Sequence, residues 1–192
     1  YIELNTNELY GRNLTAGALD VMGQYYSVAS SSHAFYNYGG LVYTGNDEKA
    51  LFDNMWQKCY AVIACCNTII EKCDENKAGL SPVWRGSIKG EALALRAMLH
   101  FDMLRLFGPL TSELDKESIP YQTNSDQTVT PLLSGSEVVG LILDDLKNAV
   151  GLLKDTDPYF VEEEFSDTDL NYRRFRMNYF AAKGLMARVQ LW

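Results

Sequence analysis

Two stretches of this chain repeat apolar residues every three or four positions over a length that no strand uses. From Asp47 to about Glu75, Leu51, Phe52, Met55, Trp56, Cys59, Val62, Ile63, Cys66 and Ile70 keep that spacing. A second run follows from Ser81 to Phe107, with Ser81 placed to cap it and Pro82 in its first turn. Ala92, Ala94 and Ala97 leave room for close helix contact, and Gly108-Pro109 ends the pattern. Gly79 and Pro82 punctuate the short connection, so the two runs predict an antiparallel helical hairpin. Only 5 prolines are present, which leaves helices of this length uninterrupted. Ser134 and Glu137 form a capping-box pattern that opens a third long helix to about Lys154. A fourth spans 178–192 with the small residues Ala181, Ala182, Gly184 and Ala187, and a shorter one spans 14–26. The spacing predicts helices at 14–26, 48–75, 81–107, 135–154 and 178–192, and no strand. The fold class is all-α, built from antiparallel helix pairs in tandem with long irregular loops.

At 192 residues the chain reads as a single domain, 1–192. It begins without Met or an apolar leader, and its last helix meets no stop signal, so it is expected to be a fragment cut at both ends. The net charge of −8 disfavours nucleic acid and anionic membrane surfaces as partners. No apolar run is long enough to span a bilayer. Cys59, Cys66 and Cys73 recur every seven residues, which places neighbours about 10 Å apart along a helix, too far for a disulfide. With Cys65 they read as reduced, metal-free core residues.

Motifs for catalysis are missing. The sequence has neither a dinucleotide-binding nor a P-loop glycine pattern. Asp167-Thr168-Asp169-Leu170-Asn171 resembles the start of an EF-hand loop but fails at Tyr172 and Asn178. Glu91, Arg96, Asp102 and Arg105 read as surface pairs along one helix. Asp144, Asp145, Lys147 and Asn148 are expected to face water, and Arg173, Arg174 and Arg176 to lie on a solvated loop. His100 reads as structural, and Asn67 needs hydrogen-bond partners if buried. Trp56 and Tyr60 are expected to be buried where the first hairpin packs. No catalytic residue, metal ligand or cofactor site is expected, and the chain reads as a non-enzyme.

The distribution of tyrosine is uneven. Seven of the 12 fall within the first 43 residues. Between Ser27 and Asp47 the chain is rich in Ser and Gly and has no helical or strand period, which predicts a long loop. Phe35, Tyr36, Tyr38 and Tyr43 sit within it. Aromatic rings bury large area at low entropy cost and keep a polar handle, which suits a binding surface. The candidate ligand-binding residues are Tyr36, Tyr38 and Tyr43, with His33 and Phe35 beside them. The competing reading is that these rings only anchor the loop onto the helices.

Three stretches together resemble the SusD/RagB family. Trp56-Gln-Lys-Cys-Tyr60-Ala-Val-Ile-Ala-Cys-Cys-Asn67 is similar to its W-x-x-x-Y-x-x-I-x-x-x-N helix. Gly90-Glu91-Ala92-Leu-Ala-Leu-Arg96-Ala97, continuing to Phe107-Gly108, resembles its G-E-A-x-x-x-R-A segment. Ala181-Ala182-Lys-Gly-Leu185-Met-Ala187-Arg188-Val189 resembles its A-A-x-A-L-L-A-R-V helix, with Gly184 where Ala is usual. Glu137 to Leu153 also fits, and His100 departs from a usually aromatic or apolar position. The resemblance implies an outward-facing nutrient-binding lipoprotein of the bacterial outer membrane with a tetratricopeptide-like scaffold. It implies binding of a glycan or oligosaccharide and partnership with a SusC-like, TonB-dependent transporter. Membrane attachment would be through a lipid-bearing Cys preceding Tyr1. The alternative function is a helical-repeat scaffold for protein–protein interaction with no small-molecule ligand.

Overall fold

The computed structural model describes residues 1–126, 128–157 and 172–192. The EF-hand-like stretch 167–171 lies outside the described residues. Two compact units are distinguished, Tyr1–Val62 and Ile63–Trp192.

In the first unit a 3-10 turn, Ile2–Asn5, is followed by turns that bury Leu4, Leu9 and Asn13. Helix α1 is Ala18–Met22, far shorter than the 14–26 expected. Gly17 and Gly23 flank it: the Gly23 amide closes the last turn on the Leu19 carbonyl, and Gln24 then enters the left-handed region at φ 60°. The aperiodic segment that follows contains one further turn of helix, α2 (Tyr36–Gly39). Ala18, Val21 and Tyr38 form the core here, with Met22, Val28, Phe35, Tyr43, Leu51 and Phe52 packed around them. Leu51 and Phe52 belong to α3, Asn46–Glu75. Trp56 and Tyr60 are half-buried rather than buried, and their rings lie 4.7 Å apart. They lie one turn apart on the helix, so each ring shields part of the other.

The second unit begins within α3. Met55, Cys59, Val62, Ile63, Cys66, Ile70 and Cys73 hold the buried face of that helix along its length. Its middle is not enclosed on all sides, because Ala61, Cys65 and Ile69 are exposed. Cys65 is therefore a surface residue, unlike the other three, and all four cysteines are free. Asn76 and Gly79 turn the chain with positive φ of 45° and 66°, and the Asn76 Oδ1 accepts from the Leu80 amide at 2.9 Å. Ser81 caps α4, Pro82–Phe107, by accepting from the Trp84 amide. Asn67 meets Arg96 and Asp74 meets Lys89, so α4 runs antiparallel to the end of α3.

Residues after α4 form a two-stranded antiparallel hairpin, β1 (Glu117–Pro120) with β2 (Leu132–Ser134). No strand was expected: both pieces are too short to show an alternating pattern, and Pro120 is tolerated only because it ends an edge strand. The reciprocal Ser134–Glu137 capping box opens α5, Gly135–Thr156. Asn178 then caps α6, Tyr179–Leu191.

Helix α4 is central to this unit, buried from Gly90 through Ala97. Its contact with α5 is close because two glycines leave space. A Cβ on Gly86 would stand 2.6 Å from Thr156 Cγ2, and one on Gly90 2.8 Å from Leu153 Cγ. The fold is thus all-α, with one minor hairpin among the described residues. Among the described residues, no helix is long and apolar enough to cross a membrane.

Candidate functional site

The aromatic segment of the first unit is organised around Tyr38. Its ring is 2% exposed and packs edge-on against Phe35 at 5.8 Å and Phe52 at 6.0 Å. Tyr43 lies 6.3 Å from Tyr38 and meets Phe52 edge-on at 5.4 Å. Helix α3 supplies Phe52 as the fixed ring on which the loop aromatics assemble. Burial raises the Tyr38 hydroxyl pKa, and the nearby Glu48 and Asp47 carboxylates add to the rise. Asn37 donates to the buried Glu48 carboxylate at 2.8 Å, which ties the loop to the first turn of α3.

The five residues singled out from the sequence divide by exposure. Tyr38 is a core residue. Phe35 and Tyr43 are half-buried, and Arg12 stacks over the Phe35 ring at 5.7 Å. Tyr36 is 42% exposed, and His33 is also exposed, its Nδ1 accepting from the Phe35 amide at 3.1 Å. Further rings in this unit face solvent, Tyr25 and Tyr26 among them. Tyr25 is 81% exposed, and Tyr26 is half-exposed with its hydroxyl donating to the Ala16 carbonyl at 2.5 Å. Tyr25 falls inside the expected helix 14–26, but Gly23 and Gln24 end α1 first, and that pair was the readable signal.

The second unit holds a buried polar network. Arg96 forks onto Asp145, Nε and Nη2 each at 2.7 Å from a carboxylate oxygen. Tyr121 donates its hydroxyl to the same carboxylate at 2.6 Å. Arg96 Nη1 reaches Asn67 Oδ1 at 2.8 Å, and the Asn67 amide donates to the carbonyls of Gln122 and Asn124. Asp145 and Arg96 are therefore interior groups, not the water-facing residues their helix positions suggested. Burial alone would lower the Arg96 pKa, yet the Asp145 carboxylate outweighs it and the net shift is upward. The Tyr121 hydroxyl is pushed well up by burial and by Asp145.

His100 closes the network. It is fully buried and stacks on Tyr121 at 3.9 Å. Its Nδ1 contacts the Arg96 carbonyl at 2.9 Å, and its Nε2 meets the Gln122 amide at 3.0 Å. A carbonyl can only accept and an amide can only donate, so Nδ1 carries the proton and Nε2 is bare. Burial holds the ring neutral, with its pKa lowered to about 3.

A second charge cluster corrects the reading of Arg173. That guanidinium is buried, bonded to Glu91 at 2.5 Å and to both Asp157 oxygens at 3.1 and 3.2 Å. Glu91 is likewise buried. Among the described residues, no group of three His, Cys, Asp or Glu side chains is placed to hold a metal ion.

A family model described as "Starch-binding associating with outer membrane" matches residues 19–191. The chain is 30% identical over 146 residues to a SusD-like protein of Bacteroides ovatus, covering 74% of this chain and 23% of that one. It also superimposes on a SusD-like carbohydrate binding protein from Bacteroides vulgatus with TM-score 0.72 and 25% identity, over 94% of this chain and 35% of that one. A crystal structure solved with xylogluco-oligosaccharide shares the fold at TM-score 0.61 and 21% identity, over 90% of this chain and 30% of that one. The chain thus spans only a quarter to a third of the length of these proteins. With the family model extending across nearly all of it, the chain belongs to the SusD-like family.

Proposed function

We propose that this chain forms part of a glycan-binding protein at the bacterial outer membrane, acting by capture and not by catalysis. The observation that supports the reading is the graded burial of the loop aromatics in a SusD-like chain. Tyr38 and Phe52 make a rigid base, the half-buried Tyr43 packs against it, and Tyr36 on the same short helix as Tyr38 leaves ring surface exposed. Rings held this way stack on the apolar C–H faces of sugars without first being ordered. Phe35 packs on Tyr38, and the exposed His33 lies beside Phe35 with ring centres 5.8 Å apart. The carbohydrate named for the Bacteroides vulgatus neighbour and the xylogluco-oligosaccharide of the other solved structure support this ligand class. Bound glycan would then pass to a SusC-like, TonB-dependent transporter, with the protein outward-facing and held by a lipid anchor.

The test is isothermal titration of the full-length protein that carries this sequence, using starch-derived and xylogluco-oligosaccharides. Tyr36→Ala or Tyr43→Ala is expected to weaken binding by about tenfold, by analogy with single-ring stacking. Melting temperature should hold for Tyr36→Ala, whose ring adds little to the core. Unchanged affinity in both variants would move the ligand site away from this loop.

A further inference from the structure

Helix α2 is a single turn, too short to hold its own shape in water. Groups outside it must fix it, and two side-chain hydrogen bonds do so. At its end, Gln24 Nε2 donates to the Gly39 carbonyl at 2.9 Å. At its start, Asn37 Nδ2 donates to Glu48 Oε1 at 2.8 Å. Glu48 stands in the first turn of α3 and is 6% exposed. Its place depends on Gly45. A Cβ on that residue would overlap Glu48 Oε2, so any larger residue there must push the carboxylate aside.

A buried carboxylate is an unusual choice at this point. Leu51 and Phe52, three and four residues further along α3, share its face and join the apolar cluster around Tyr38. Taking a carboxylate out of water beside that cluster costs stability, which its hydrogen bond offsets without a large surplus. What the hydrogen bond supplies and an apolar contact does not is direction. Asn37 lies between Tyr36 and Tyr38, so holding its side chain sets the rotation of the whole turn. That rotation decides where the Tyr36 ring stands. At 42% exposure the ring is placed more by the backbone of its turn than by packing.

From this arrangement we infer that Asn37, Glu48 and Gly45 form a latch that positions Tyr36 for ligand, with Glu48 a positioning residue that acts through Asn37. The inference rests on the proposed function for the role of Tyr36 and adds what holds that ring in place. Hydrogen exchange of the full-length protein tests the latch without ligand. The Gly40 and Val42 amides are bonded to the Tyr36 and Asn37 carbonyls at 3.3 and 2.8 Å, so they report on the turn. Their exchange should quicken by about tenfold or more in Gly45→Ala and in Glu48→Ala, while the α4 interior keeps its protection. Glu48→Gln keeps an acceptor facing Asn37 and should exchange as wild type does. Unchanged exchange in both alanine variants, or Glu48→Gln as fast as Glu48→Ala, overturns the latch. Oligosaccharide titration then shows whether it acts through Tyr36. Gly45→Ala should weaken binding by about tenfold, and adding Tyr36→Ala to it should cost less than about a further twofold, because both changes remove one interaction. A full further tenfold loss, or wild-type affinity in Gly45→Ala, overturns the positioning role. Wild-type protein that binds no oligosaccharide overturns the proposed function instead, and the exchange result still decides the latch.

Discussion

His100 shows how one side chain sets a pH response. Its two ring nitrogens are engaged by a carbonyl and an amide, an arrangement only the neutral ring satisfies. The folded pKa of about 3 lies below the ordinary value of 6.5. The unfolded chain therefore binds the proton first as pH falls, and the contribution of His100 to stability is complete above 6.5 and lost on descent toward 3. Between pH 6.5 and 4.5 the loss should be about 2–3 kcal/mol, at roughly 1.4 kcal/mol per unit. The carboxylates with depressed pKa, Glu3, Glu75 and Glu137, add their own losses only below about their ordinary value of 4.5. Urea unfolding at several pH values should give this slope in wild type and a flatter one in His100→Gln. A wild-type stability that stays level from 6.5 to 4.5 would mean the ring is not held neutral.

At the scale of the helix, glycine has opposite meanings in two places. Gly90 lies where α4 meets α5, and an added methyl would press on Leu153 at 2.8 Å. Gly184 lies on the exposed side of α6 with nothing within 4 Å of the same atom. Gly90→Ala is expected to destabilise by about 1–3 kcal/mol through overpacking. Gly184→Ala should stabilise by about 0.5–1 kcal/mol, the ordinary helix preference for alanine. Thermal or urea unfolding of the two variants decides it, and a shared sign would show the α4–α5 contact to be looser than drawn. The sequence marked Gly184 as one of the small residues of its helix and as a departure from the family's alanine. It could not assign Gly90, because the partner that makes the position tight lies some sixty residues away.

For the molecule as a whole, what was readable in the sequence follows the range of the interactions involved. The long helices were legible to within about two residues, because their apolar spacing and the Ser81 and Ser134 caps are local signals. The short elements were not: α1 is clipped by flanking glycines, and β1 and β2 pair over too few residues to leave a period. The interior charges were hidden for another reason. Arg96, Asp145, Glu91 and Arg173 each look solvent-facing on their own element and become interior only when a partner from elsewhere in the chain neutralises them. The loop aromatics stood out as rings without a period, but the burial of Tyr38 depends on packing against Phe52, which lies on α3.

The Asn67–Arg96–His100 network has a kinetic corollary. Residues 121–124 belong to no helix or strand, yet side chains from α3 and α4 hold their backbone groups. Segments of that kind normally exchange their amide hydrogens within seconds to minutes, whereas the Gln122 amide is bonded to a buried imidazole and released only when the surrounding helices part. Its exchange should be as slow as that of the α4 interior, so that a map of protection across the chain would show an island of slow exchange in what the backbone alone would class as a loop.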